Sequence, residues 1–336
     1  MQMILKYNIL SKKSFTSILN ICWNAWKDSE TLVNQNKVRF RLPVFLDMLF
    51  SLILFGANST DYRTFEFYKM NFRGRNSFIT YIRNTKLRLW TSEEAYGLFD
   101  NKGLFNIRYA DFINRGWMTT KNISSQDVID FINRHGTIIV KPPTGTWGIG
   151  IYKLNYLEKD KTVRLLELIN EGKEFILEEY IENINSIKSL NPSSLNTLRI
   201  VTCVDQSGKT HVIKSLIRIG TSDSCVDNAS NGGMACSVNY KLGIIDSVGK
   251  SISGSTYLIH PISQIHLLGY PIPYWDKIEE YINELTKVEP KARYVGWDIA
   301  ITDRGFELIE GNMSPGENIT QMCDMVGKWK QIKSLV

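Results

Sequence analysis

Nowhere in this 336-residue chain do two cysteines stand at Cys-x-x-Cys spacing, and the five present (Cys22, Cys203, Cys225, Cys236, Cys323) are odd in number and scattered. A disulfide framework and a structural zinc site are both disfavoured, and a reducing cytosol is the expected home. Histidine is scarce, with four residues and none paired at ligand spacing. The start of the chain lacks the basic residues, apolar core and small-residue cleavage site of a secretion signal, so a cytoplasmic protein is expected. No repeat or low-complexity segment occurs. The strongest apolar run, residues 42–57, is interrupted by Asp47 and falls short of the roughly 20 residues a spanning helix needs. It predicts a buried core helix. The alternative is a helix lying on the inner face of a membrane, helped by Lys37, Arg39 and Arg41. Charge of one sign is not abundant either: the surplus is +6. That fits an anionic substrate or membrane surface, and with no aromatic-and-basic motif or basic tail it gives no ground for nucleic-acid binding.

What is present is ordinary globular material, 43% apolar and 22% charged, enough for one large or two average domains. Its most informative stretch lies late, Tyr294-Val-Gly-Trp-Asp298 through Glu310-Gly-Asn312. Two apolar runs flank Asp303-Arg304-Gly305, which reads as a three-residue hairpin loop with Gly at the left-handed position. In that register Thr302 faces Phe306 and Asp298 faces Glu310, and strand alternation puts Asn312 on the face of Glu310. Two carboxylates and an amide oxygen then converge among apolar neighbours, where like charges repel unless a cation sits between them. An all-oxygen donor set points to a hard ion, Mg2+ or Mn2+.

The chain up to about Asn84 reads as helical. Ser124-Ser-Gln-Asp caps a helix that Gly136 closes. Strands are then predicted at 137–141, 149–154, 174–181, 197–204 and 211–219, with a helix around 163–169 between the second and third. Gln206-Ser207-Gly208 forms a turn, and helices follow at 274–286 and 318–333.

Ile138 to Ile151 is a strand ending in Lys141, then a loop bearing Gly145, Thr146, Trp147, Gly148 and Gly150, then a second strand. Such a loop lets backbone N–H groups close over phosphate oxygens, with the lysine supplying charge. It is no Walker loop, because no Gly-Lys-Ser or Gly-Lys-Thr follows and no helix begins there. The order of parts is then a strand ending Glu178-Glu179-Tyr180-Ile181, a strand with Arg199, a loop with Asn228, Gly232 and Gly233, and the acidic hairpin. Over residues 95 to 325 this order resembles the ATP-grasp superfamily. Asn101-Lys102-Gly, Ser194-Leu-Asn-Thr-Leu-Arg199, Arg218-Ile-Gly and Gly311-Asn312-Met-Ser-Pro-Gly316 are similar to its sugar-transfer-associated group.

The resemblance implies an α+β ATP-grasp fold, two lobes clasping ATP, with a mostly helical region 1–94 ahead of them for acceptor or membrane-surface contact. Residues 95–184 would be the small lid subdomain and 185–336 the C-terminal subdomain with the metal site. It implies ATP and Mg2+ as cofactors, with Asp298, Glu310 and Asn312 as metal ligands. Lys141 and Lys102 match phosphate lysines, and Glu178, Glu179, Tyr180 and Ile181 match the hinge strand that recognises adenine. Glu182 or Asn185 would meet the ribose. Arg199 matches the arginine that neutralises the transferred phosphoryl group, and Asn228 the Asn of peptide-forming ligases. Lys214 and Arg218, on one strand face, would hold an anionic acceptor near Gly232 and Gly233. The implied activity is carboxylate–amine ligation through an acyl phosphate, joining an amino acid or other amine to a uronic acid of a bacterial capsular or O-antigen polysaccharide. Small-molecule peptide ligation and a non-catalytic nucleotide-binding scaffold are the alternatives. The region before the ATP-grasp pattern does not resemble the Rossmann-type domain common in the superfamily.

Overall fold

The computed structural model describes residues 15–145, 148–222 and 233–335. The elements run α1 (Phe15–Asn34), α2 (Arg41–Phe55), α3 (Ser59–Thr64), α4 (Phe72–Arg75), α5 (Tyr81–Arg88), α6 (Glu93–Asp100), α7 (Lys102–Arg108), β1 (Trp117–Thr119) and α8 (Ser125–His135). Then come β2 (Thr137–Lys141), β3 (Tyr152–Asn155), α9 (Lys159–Asn170), β4 (Ile176–Glu179), α10 (Asn185–Lys188), β5 (Thr197–Val204), β6 (Thr210–Ile219), β7 (Met234–Asn239), β8 (Ile244–Ile245), β9 (Gly249–Lys250) and β10 (Thr256–Tyr257). The chain closes with α11 (Ile278–Lys287), β11 (Tyr294–Thr302), β12 (Gly305–Asn312), α12 (Glu317–Met322) and α13 (Trp329–Lys333). The fold is α+β, as expected.

Two compact units result. One contains the described residues up to Trp90 together with those from Ser314 on; the other is Thr91–Met313. The resemblance implies a single subdomain over 185–336. By packing, the segment from Ser314 belongs with the N-terminal helices. There Gln321 bonds both backbone groups of Ile79 at 2.8 Å, and Asn84 reaches Glu317 at 2.8 Å. The helix expected over 318–333 is two short ones, α12 and α13.

In the helical unit an aromatic core of Phe55, Tyr62, Phe65, Phe67 and Phe78 forms under α2 and α3. Asp47, the residue that breaks the apolar run, is held by Arg75 at 2.6 Å and by the Tyr62 hydroxyl at 2.6 Å. α2 differs from a buried core helix in one respect. Val44, Met48, Leu52 and Phe55 are buried, but Leu42, Leu46, Phe50 and Ile53 on the opposite side are exposed.

The larger unit carries two antiparallel sheets. Four strands in the order β1-β4-β2-β3 pack on α8 and α9. α8 starts at the predicted capping box, Ser124 with Asp127, and Gly136 at positive φ closes it. The second sheet has eight strands, ordered β10-β9-β7-β6-β5-β11-β12 with β8 against β7. Its core face buries Leu198, Ile200, Trp297, Ile299 and Leu308 against α6, α7 and α11. β5, central and buried along its whole length, turns Arg199 to the other face.

The β11–β12 hairpin corrects the predicted loop. Thr302 pairs with Gly305 across a two-residue turn, Asp303-Arg304, not with Phe306 across three. Carried on unbroken, that register would set Asp298 against Ile309 and turn Glu310 into the core. A β-bulge between Asp298 and Ile299 restores the expected pairing of Asp298 with Glu310. Since one residue of slip moves every side chain to the other face, the bulge is what brings Glu310 and Asn312 onto the face of Asp298.

Candidate active site

The open face of the eight-stranded sheet gathers charge from four strands. β5 contributes Arg199, β6 Lys214 and Arg218, β11 Asp298, and β12 Glu310 and Asn312. Arg199 grips Asp298 with two nitrogens, Nε to Oδ1 and Nη2 to Oδ2 at 2.8 Å. Arg218 Nη1 donates to the same Oδ2 at 2.8 Å. Burial alone would raise the Asp298 carboxyl, but the two guanidiniums hold it below its ordinary value. Next to it, Glu310 is pushed up, by burial and then by the charge of Asp298. Asn312 Nδ2 bridges the two carboxylates at 3.3 and 3.2 Å.

The expected metal ligands therefore do meet, in a setting the sequence did not foresee. Asp298 is engaged by two arginines, and Arg218 faces Asp298 instead of standing with Lys214, whose Nζ donates to Ser237 Oγ at 2.6 Å. Among the described residues no cluster of three or more His, Cys, Asp or Glu occurs. The donor set fits a hard cation through Glu310, with Asp298 behind it; the Asn312 amide turns its nitrogen to both carboxylates, so its oxygen would join only after the amide flips. Glu310 is destabilised as an anion until a positive charge joins it.

Opposite Glu310 the lysines come from the start of α7 and from the end of β2. Asn101 caps α7 on the N–H groups of Gly103 and Leu104. The Lys102 ammonium, loosened by burial against the pull of Glu310, donates to the Gly145 carbonyl at 2.8 Å. Lys141, at the end of β2, reaches Glu178 Oε2 at 2.5 Å. A cleft of about 500 Å3, open solvent included, runs between these groups, lined by Lys102, Lys141, Gly145, Glu178, Glu310 and Asn312. Its floor is shaped by Gly311, where a Cβ would stand 2.4 Å from the Phe99 ring. Gly145, Gly148 and Gly150 all have positive φ, a backbone that side chains rarely tolerate. Thr146, Trp147, Asn228 and Gly232 lie outside the described residues.

The strand expected as the hinge is β4, which ends at Glu179. The amides of Glu179 and Tyr180 donate within the sheet, to Gly116 and Thr137 carbonyls at 2.7 and 3.1 Å. Ile181 follows the strand half-buried, and Asn185 is exposed at the start of α10. Glu182 is paired with Lys188 at 2.7 Å. Gly233 is buried ahead of β7.

Sequence reasoning missed Arg115. Buried, it donates to Glu178 from Nε (2.9 Å) and Nη2 (3.1 Å), to Glu307 from Nη1 (2.8 Å), and to the carbonyls of Leu308 (2.6 Å) and Ile309 (3.4 Å). It thus joins β4, whose Glu178 also holds Lys141, to the β-bulge that presents Glu310. With Lys141 it outweighs desolvation and keeps the Glu178 carboxyl far below its usual range. No spacing announces it, because Asn114-Arg115-Gly116 lies in a loop. Asn106 adds a bond to Glu178 at 3.3 Å.

Among solved structures the chain is similar to the D-alanyl-alanine synthetase A of Vibrio cholerae O1 (16% identity, 73% of this chain and 62% of that one, TM-score 0.45). It is also similar to the D-alanine–D-alanine ligase of Helicobacter pylori (14%, 73% and 62%, TM-score 0.44). A third is the ATP-grasp ligase PsnB with a phosphomimetic variant of its minimal precursor, Mg and ADP (15%, 82% and 70%, TM-score 0.45). The chain thus spans less than two thirds of the length of the synthetase and of the D-alanine–D-alanine ligase. Comparison with curated proteins returns no match. The profile of sugar-transfer associated ATP-grasp proteins matches residues 91–335, well over half of the sequence, and the chain belongs to that family.

Proposed function

We propose that the protein is an ATP- and Mg2+-dependent carboxylate–amine ligase. The observation that carries this reading is the cleft in which Lys102 of α7 and Lys141 of β2 line one wall and Glu310 and Asn312 the other. Lys102, Lys141, Lys214, Arg199 and Arg218 exceed the three carboxylates Glu178, Asp298 and Glu310, a balance suited to a polyanionic triphosphate. Lys141, Lys102 and the Gly145–Gly150 loop hold the phosphates, and the strand end at Tyr180–Ile181 receives the adenine. A substrate carboxylate attacks the γ-phosphorus, ADP departs, and an acyl phosphate forms. Arg199 and Arg218 neutralise charge as it develops. The amine then attacks the acyl carbon, loses a proton, and expels phosphate. Mg2+, held through Glu310, Asn312 and Asp298, would supply charge neutralisation at the phosphates.

The family's association with sugar transfer supports a uronic acid of a bacterial polysaccharide as the carboxylate and an amino acid as the amine. To test this, ATP, Mg2+, a uronic-acid glycan and a panel of amino acids are mixed with the protein. ADP release and an amide-linked product by mass spectrometry are expected. ATP binding without turnover of any acid–amine pair would overturn ligation, and a phosphorylated glycan would redirect it to phosphoryl transfer.

A further inference from the structure

We propose that the exposed face of α2 lies on an anionic lipid surface, an inference independent of the ligase reading. Leu42, Leu46, Phe50 and Ile53 are 58%, 55%, 51% and 45% exposed. Spacings of four, four and three residues place them on one stripe, directly opposite the buried Val44, Met48 and Phe55. No polar side chain falls on that stripe. Exposed Phe40 extends it at the N-terminal end. Phe72, also exposed, packs edge-on against Phe55 at 4.9 Å, on the side of α2 away from the stripe. Fifteen residues make a helix of about 22 Å, too short to cross a bilayer, and no described helix is long and apolar enough to do so. A helix apolar towards both core and solvent suits an interface, where one face meets protein and the other meets acyl chains.

Charge identifies the surface. Residues 1–90 hold fourteen Lys or Arg against five Asp or Glu, while the remaining residues hold twenty-six against twenty-nine. The chain's whole positive surplus therefore sits in the region that carries α2. Its acids are already engaged: Asp28 with Arg63, Glu30 with Arg41, Asp47 with Arg75, Glu66 with Lys69, and Asp61 is buried. Exposed Lys37 and Arg39 lead into the stripe, so cations flank the apolar residues at its N-terminal end. Anionic headgroups meet such flanks while the hydrocarbon meets the stripe. A second copy would bring two positive faces together, and a nucleic acid would gain nothing from Leu and Ile.

The test is sedimentation of the full chain with vesicles of phosphatidylcholine, alone and mixed with phosphatidylglycerol. Binding to the mixed vesicles only, weakening as salt rises, is expected. Leu46→Glu with Phe50→Glu should weaken partitioning by about tenfold or more. Lys37→Glu with Arg39→Glu, both on the surface, should abolish the preference for anionic vesicles with the melting temperature unchanged. ATP binding should be the same in all forms, which separates this outcome from failure of the ligase reading. Absence of binding to either vesicle, equal binding to both, or a dimer that Leu46→Glu with Phe50→Glu dissociates would overturn the proposal.

Discussion

Replacing Arg115 by Met tests the architecture of the cleft most directly. Methionine keeps most of the volume but removes five donated contacts: two to Glu178, one to Glu307 and one each to the Leu308 and Ile309 carbonyls. Glu178 would retain Lys141 and Asn106. Glu307 would retain the backbone and side-chain nitrogens of Asn114. Breaking a buried ion pair from one side costs about 3–5 kcal/mol, and here two carboxylates lose the same partner, so a loss near the upper end is expected. Urea unfolding followed by tryptophan fluorescence measures it. The reasoning also requires coupling. Adding Glu307→Leu to the Arg115→Met chain should cost less than the sum of the two single changes, because the stranded carboxylate is gone. A loss below about 1 kcal/mol, the level of an exposed ion pair, would refute the claim that Arg115 ties the two sheets together at the bulge.

Other substitutions probe single contacts. Gly311→Ala should push the Phe99 ring by placing a methyl 2.4 Å from it, costing about 1–3 kcal/mol and lowering ATP affinity as Glu310 and Asn312 shift; denaturation and calorimetry read the two effects. Lys141→Met should weaken ATP binding by about ten- to a hundredfold, the worth of one hydrogen bond to a charged group, while Arg115 keeps Glu178 satisfied; titration calorimetry showing unchanged affinity would contradict the phosphate role. His260 is buried, its Nε2 2.7 Å from the Gly220 carbonyl and its Nδ1 accepting from the amides of Ile262 and Ser263. Burial lowers its pKa, so the unfolded chain takes up the proton first. Its contribution is complete above the ordinary histidine value and is lost as pH falls below it. Melting temperatures between about pH 7 and pH 5 should therefore fall more steeply for the native chain than for His260→Gln.

Much of the fold was legible because local signals and global order agreed. The capping box at Ser124, the closing Gly136, the β2 strand ending in Lys141 and the strand carrying Arg199 are each written in neighbouring residues. The pairing of Asp298 with Glu310 was also reached, although by a wrong loop. The sequence pattern favoured three residues in the turn because Gly305 suits a left-handed position, and it does have positive φ. The chain instead turns on two residues and makes up the missing one at the bulge, where Arg115 donates to the Leu308 and Ile309 carbonyls. A bulge depends on what lies beneath the strand, so nothing in β12 alone reveals it.

Amphipathic spacing, caps, turn glycines and the succession of lysine strand, glycine loop and acidic hairpin are properties of residues a few places apart, and the sequence by itself determined them. Only the tertiary structure decided that Asp298 is shared by Arg199 and Arg218, that Arg115 reaches across from 192 residues away to Glu307, and that one side of α2 stays exposed. Those outcomes depend on which faces meet after the chain has closed long loops, and no local pattern carries that information.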